Sequence, residues 1–246
     1  MATKQWFESL AVIKPYIFRI STPYGRGTGF QIRTSTNLFG IATAYHVVEA
    51  ADEWGEPIKI VHHASDKTLL LKEAERVVFP HPKEDLAFIL IPRSLVSTAD
   101  MKVPATDPTL LDFTRTLKQG AEIGWCGFPS VASPDELCFF AGHISADISK
   151  EKSYLVDGVI INGVSGGPAF YADSKGEVKI CGVISAYRPN RRNSGETLPG
   201  LGEIQSVKPY KRELDMIGSM EEARQKAEEQ QAEIKKGEDP KPTTAA

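Results

Sequence analysis

The chain has 246 residues, 41 % hydrophobic and 25 % charged, which is the composition of a water-soluble globular protein with one large domain or two small ones. A formal charge of −3 leaves no basic footprint for a nucleic acid. No apolar run approaches the roughly 18 residues needed to cross a membrane, and Met1 to Lys14 lacks the apolar stretch and small-residue cleavage site of a signal peptide. The expectation is a cytoplasmic protein with no membrane partner.

In chain order, residues 11–20 read as a strand with Pro15 near its start. Gly25 to Gly29 is a turn that continues as a strand through Phe30-Gln31-Ile32. Leu38 to Ala44 is an apolar strand running into Tyr45-His46-Val47-Val48-Glu49-Ala50-Ala51, one helical turn. Short strands follow at 58–62, 69–71 and 76–79. After the polar turn His81-Pro82-Lys83-Glu84, Asp85 precedes the apolar run Leu86 to Ile91, stopped by Pro92. Residues 93–120, rich in Ser, Thr, Asp and Pro, read as a connector. Strands resume at 122–127, 137–145, 153–161, 168–171, 178–187 and 202–207. Short strands on both sides of a connector predict an all-β protein built as two barrels or sandwiches.

From Lys208 the character changes. Glu213 to Lys236 lacks proline and is dominated by strong helix formers, with Tyr210, Leu214 and Ile217 on one face expected to dock on the second β unit. Beyond Met220 the helix is either solvated, supported by pairs such as Glu222–Lys226, or a handle for a regulatory protein partner. Gly237 stops it, and residues 237–246 are expected to form a disordered tail. The division is thus 1–207 (first β unit about 10–92, connector 93–120, second 121–207), a helix over 208–236, and the tail. Cys126, Cys138 and Cys181 have no metal-ligand spacing and read as buried free thiols, with a Cys126–Cys138 bridge as the alternative.

The stretch Gly163-Val164-Ser165-Gly166-Gly167-Pro168 places a serine on a glycine-rich turn. Such a turn can expose the hydroxyl while aiming its own N–H groups the same way, which suits a nucleophile with an oxyanion hole; a surface serine on a β-turn is the plainer reading. A serine needs a base, commonly a histidine oriented by a carboxylate. His62, His63, His81 and His143 lie in strand edges or turns and read as structural. His46 closes a buried strand and opens a helical turn, and Asp85 stands at the mouth of another apolar strand.

Thr43-Ala44-Tyr45-His46-Val47-Val48, Asp85-Leu86-Ala87 and Gly163 to Pro168, in that order, resemble the trypsin/chymotrypsin-like serine peptidases, with the closest likeness to the bacterial high-temperature-requirement branch. Gly27-Thr28-Gly29-Phe30, Gly142 to Ala146, Asp157 eight before Ser165, Gly176-Glu177-Val178 and Gly182 to Ala186 agree, so the likeness covers about residues 10–210. It implies a double β-barrel with a cleft between the barrels and no metal or cofactor. It also implies Ser165 as nucleophile, His46 as general base, Asp85 as the carboxylate holding His46, and an oxyanion hole from the N–H groups of Gly163 and Ser165. Val159 or a residue close to it would sit at the base of the primary specificity pocket, Asn162 would contact substrate, and Ser185-Ala186-Tyr187 would pair with an extended peptide or protein substrate.

Two departures carry consequences. Val164 stands where members activated by cleavage carry Asp, so it cannot pair with a released N-terminus. No PDZ-like segment follows residue 210. Val159 is apolar and predicts an apolar residue, not Lys or Arg, before the scissile bond. The rival reading is a catalytically silent pseudo-protease that keeps the fold and binds peptides.

Overall fold

A computed structural model describes residues 5–35, 37–105, 110–133, 135–191 and 197–237. The chain divides into two compact units, 1–208 and 209–246. The larger opens with a helix, α1 (Trp6–Ile13), and a 3-10 turn over Lys14–Tyr16. Seven strands follow: β1 (Ile17–Thr22), β2 (Gly25–Thr34), β3 (Leu38–Ala44), β4 (Ile58–His62), β5 (Lys67–Leu71), β6 (Val77–His81) and β7 (Leu86–Pro92). They form one sheet in the order β5-β4-β1-β2-β3-β7-β6, with a nine-residue helix, α2 (Tyr45–Glu53), after β3. The connector holds α3 (Arg93–Thr98). The second half is β8 (Glu122–Gly127), β9 (Cys138–Ile148), β10 (Ser153–Val156), β11 (Pro168–Ala172), β12 (Val178–Arg191) and β13 (Thr197–Ser206). These close into a barrel in the order β10-β13-β12-β11-β8-β9. The architecture is mostly β, as the strand pattern predicts, and is the trypsin-like fold that the resemblance implies, with a seven-stranded sheet, one closed barrel and a C-terminal helix.

Each half has its own core. Phe18, Phe39, Ile41, Ile60 and Ile89 fill the first, and α2 covers it with Val47, Val48 and Ala51. Trp125, Ile144, Val156, Ile184 and Ile204 fill the second. The connector is shared between them: Met101 joins the first core and Leu117 the second. Cys126 and Cys181 are buried free thiols, and burial pushes the Cys181 thiol up to about 12. Cys138 is also free and stands opposite Gly127, not opposite Cys126, so the bridge is not formed.

Four elements differ from the sequence reading. Gly25 to Gly29, expected as a turn, already belongs to β2 and pairs with β1. Residues 11–20 are not one strand: α1 runs to Ile13, Pro15 sits in the 3-10 turn, and β1 starts only at Ile17. The helix is held by a capping box, in which Gln5 N–H donates to Glu8 (3.2 Å) and the Glu8 N–H is bound in return. The strand expected over 153–161 ends at Val156, and residues 159–161 approach the serine as irregular backbone. The single helical turn at Tyr45 is a full helix to Glu53.

The smaller unit contains α4 (Tyr210–Gly237), with the i,i+4 pairs Lys211–Asp215 (2.6 Å) and Arg224–Glu228 (2.7 Å) along it. Residues 238–246, expected to be a disordered tail, lie outside the described residues.

The first helix is tied to the second barrel by Trp6. Its ring packs at 5.5 Å from Phe139 and 6.0 Å from Phe170, its Nε1–H donates to Glu122 (2.8 Å), and a Cβ on Gly124 would meet it at 2.7 Å. Trp6→Ala is expected to destabilise the protein by somewhat less than the ~3–5 kcal/mol that a fully buried tryptophan loses. Phe7→Ala, at an exposed position on the same helix, should change stability by under ~0.5 kcal/mol. Urea denaturation of the two variants checks both.

Candidate active site

The site is assembled by strand register. β3 pairs antiparallel with β7, placing Ala44 opposite Leu86. His46, just past the end of β3, and Asp85, just before the start of β7, therefore meet at the same end of one ladder. Two further bonds fix the meeting: Tyr45 N–H donates to the Asp85 carbonyl (3.1 Å) and His46 N–H to Asp85 Oδ1 (3.0 Å). Asp85 takes a left-handed backbone conformation (φ +50°) as it leaves a 3-10 turn over Pro82–Glu84. Aspartate tolerates that region better than most residues.

His46 Nδ1 lies 2.8 Å from Asp85 Oδ2. With Nδ1–H donating to the carboxylate, the neutral ring presents Nε2 as a free acceptor. The second partner of Oδ2 is Ser185, whose hydroxyl donates to it at 2.5 Å. Burial pushes the Asp85 carboxyl up, but the bonds from His46 and Ser185 outweigh it and hold Asp85 below its ordinary value. The hydrogen bond to Asp85 raises His46 above its ordinary 6.5, against burial, which lowers it.

Ser185 was expected only at the substrate edge. It is buried, and it sits at a β-bulge, where the β12–β13 register shifts between Ile184 and Ala186. A bulge re-aims a side chain, and here the hydroxyl reaches Asp85 while the Ser185 carbonyl accepts from Ser165 Oγ (3.4 Å). No alternation of apolar and polar residues announces that role.

Ser165 lies on a turn clamped by Thr28 of β2, a fully buried residue of the other half. Thr28 N–H donates to the Ser165 carbonyl (2.8 Å) and Thr28 Oγ1 to the Gly163 carbonyl (2.9 Å). Thr28 Oγ1 also accepts from Phe128 N–H (3.1 Å), and the Thr28 carbonyl accepts from Thr43 Oγ1 (2.7 Å). Gly166 has φ +85°, and a Cβ there would meet the Thr28 carbonyl at 2.0 Å, so both conformation and space demand glycine. Val164 is fully buried in the core of the second barrel.

The Asn162 carbonyl accepts from Ser130 N–H (2.7 Å). The peptide is trans and planar, so the Gly163 N–H points away from Ser130. Among the described residues, neither the Gly163 nor the Ser165 N–H has an acceptor.

His46, Asn162, Gly163 and Ser165 line one cleft of about 410 Å³. Asp85 stands behind His46. Val159, Ala186 and Tyr187 do not line this cleft. The Val159 side chain is exposed and its carbonyl accepts from Trp125 Nε1 (3.1 Å). Tyr187 is partly exposed, and its hydroxyl accepts from Gly200 N–H. The neighbour of Val159, Ile160, is the buried one, and a Cβ on Gly202 would meet it at 2.4 Å. Of the other histidines, His62 is buried between Ser65 Oγ (2.7 Å) and the Pro15 carbonyl (2.9 Å), and His143 pairs on the surface with Asp157 (3.3 Å). Among the described residues no three His, Cys, Asp or Glu side chains are grouped to hold a metal ion.

Two expectations follow. The imidazole of His46 should titrate above 6.5 by NMR, and Asp85→Asn should bring its midpoint down. Because the folded-state value is raised, the stability this proton contributes is full below about pH 6.5 and is lost as pH rises through the higher folded value. Thr28→Val keeps the shape but strands Phe128 N–H and the Gly163 carbonyl, and should cost about 1–3 kcal/mol in chemical denaturation.

Comparison with known proteins places these features in a family. The family model for the trypsin-like peptidase domain matches residues 27–179, more than half of the chain and inclusive of His46, Asp85 and Ser165. No curated protein sequence matches the chain. Among solved structures, the chain is similar to the Rv3671c protease of M. tuberculosis in its inactive form (20 % identity, TM-score 0.55, 89 % of this chain and 98 % of that one). It is also similar to the inactive form of a serine-to-alanine mutant of Rv3671c from M. tuberculosis H37Rv (17 % identity, TM-score 0.55, 89 % and 96 %). With a family match over this span and the fold to accompany it, the chain belongs to the trypsin-like peptidase domain family.

Proposed function

We propose that the protein is a serine endopeptidase acting on peptide or protein substrates through an acyl-enzyme. The observation that carries the reading is His46 held at two points by Asp85, with its Nε2 left as acceptor, in the same cleft as Ser165. Ser165 Oγ attacks the scissile carbonyl as His46 takes its proton. Asp85, kept ionised by His46 and Ser185, stabilises the imidazolium that results. The unpaired N–H groups of Gly163 and Ser165 are the donors for the developing oxyanion; removing one such donor typically costs 10²–10³ in turnover. His46 then protonates the leaving amine, and water repeats the sequence on the ester. Within the family, the His46-Val47-Val48 and Gly163–Pro168 stretches support a place near the high-temperature-requirement branch.

One observation favours the silent, peptide-binding alternative. The Ser165 hydroxyl donates to the Ser185 carbonyl and not to His46. Rotation about the serine χ1 is a ps–ns event between staggered wells, so we take the contact as the resting rotamer of an active serine.

A fluorophosphonate probe should label wild-type protein at Ser165, and Ser165→Ala should abolish labelling and reduce peptide turnover by on the order of 10⁶. Peptide binding with neither labelling nor turnover would establish the silent reading instead. Labelling should rise with pH as His46 loses its proton, with a midpoint above 6.5.

The residue before the scissile bond should be small to medium and apolar. Val159 offers no charge, Ile160 fills the space over Gly202, and Glu203 on the adjoining strand is already engaged by Arg188 through both oxygens (2.8 and 3.0 Å). A guanidinium buried without a counter-charge costs several kcal/mol. In a peptide library Ala, Val or Leu should exceed Arg and Lys at that position, and a basic preference would contradict this assignment.

A further inference from the structure

The cleft that holds His46 and Ser165 is not the one that the substrate's acyl side would occupy. It contains none of Val159, Ala186 or Tyr187; its far wall is the β1–β2 hairpin and residues 128–132. A chain paired with the 185–187 edge and passing Ser165 continues into it, so the cleft receives the segment after the scissile bond.

The charge of that cleft is one-sided. Its cationic lining side chains are Arg19 and Arg26, beside His46, with no carboxylate among the described lining residues, although the chain as a whole carries −3. Arg19 is in an ion pair with Asp135 and lies over the Phe128 ring (5.9 Å). Arg26 is different: its side chain is exposed and makes no hydrogen bond or ion pair among the described residues. It sits near the hairpin tip, opposite Ser21 in the β1–β2 register. The next residue, Gly27, runs so close to the nucleophile that a Cβ on it would lie 3.0 Å from the Ser165 carbonyl and 2.6 Å from Val47. Arg26 is therefore one residue along the chain from backbone that packs against the Ser165 carbonyl, and exposed Tyr24 lines the same cleft.

We propose that Arg26 selects a carboxylate on the leaving-group side of the substrate. This rests on the peptidase reading. The carboxylate belongs either to an Asp or Glu side chain shortly after the scissile bond or to a nearby chain terminus. An arginine fork suits a carboxylate in a two-point contact, and its exposure holds the effect to that of a screened surface pair.

The test uses peptides with one common acyl side. One pair carries Glu or Gln within three residues after the scissile bond with an amidated end. A second pair keeps Gln and ends there as a free acid or an amide. A side-chain preference gives Glu over Gln by about 2–5-fold in kcat/KM; a terminal preference gives acid over amide by the same factor. In either case Arg26→Gln should bring the ratio to about one, and 0.5 M salt should shrink it in the wild type. Equal rates within both pairs, or a ratio that survives Arg26→Gln, would overturn the assignment. If no peptide is hydrolysed and the fluorophosphonate leaves Ser165 unlabelled, the peptidase reading fails by itself. The affinity of Ser165→Ala for the same peptides, read by fluorescence anisotropy, then decides the role of Arg26 independently: discrimination lost on adding Arg26→Gln supports it, and none to begin with removes it.

Discussion

Thr28 is the constraint on which the site depends. A residue of the first half uses its N–H, hydroxyl and carbonyl to hold backbone groups at Ser165, Gly163 and Phe128 and the hydroxyl of Thr43. All of this is away from water, where an unmet bond costs the full desolvation of the stranded group. The halves therefore cannot slide past each other without breaking several buried bonds at once. In relatives activated by cleavage a buried charge fastens the nucleophile turn. Here Val164 is packed into the second core, and the fastening comes from a neutral threonine across the interface.

The same economy governs the His46–Asp85 pair. Neither His46 nor Asp85 lies within a strand. Each hangs from the end of one, and the β3–β7 ladder sets their spacing. Ser185 adds a third element from the opposite half by means of a bulge, and its two polar atoms contact the Asp85 carboxylate on one side and the Ser165 hydroxyl on the other. Three chain segments thus converge through backbone register, with few adjustable side-chain torsions between them.

Much of this was legible in the residues. Leu38–Ala44 and Leu86–Ile91 are uninterrupted apolar runs, and a polar residue at the end of such a run is placed by the strand itself. That is why His46 and Asp85 stood out among the histidines and acids. The glycines around Ser165 signalled a backbone that other residues cannot follow. What escaped was of two kinds. The apolar residues of 11–20 read as one strand, although the Trp6–Leu10–Ile13 spacing and the Gln5–Glu8 box mark a helix ahead of Pro15. The Ser185 bulge and the Thr28 clamp are long-range: Thr28 and Gly163 are separated by 135 residues, and no local pattern encodes such a contact.

That separation, with the Trp6 anchor on Glu122 116 residues away, bears on synthesis. The first sheet can emerge from a ribosome and collapse on its own core, yet Trp6 at its very start has no surface to rest on until β8 to β11 exist. Thr28 has no carbonyl on the Gly163–Ser165 turn to hold until those residues are made. Contacts between distant parts of a chain form late because loop closure precedes their reward. A growing chain would therefore carry His46 and Asp85 already paired before the Ser165 turn that shares their cleft has been made, so the cleft is among the last parts of the first 208 residues to be assembled.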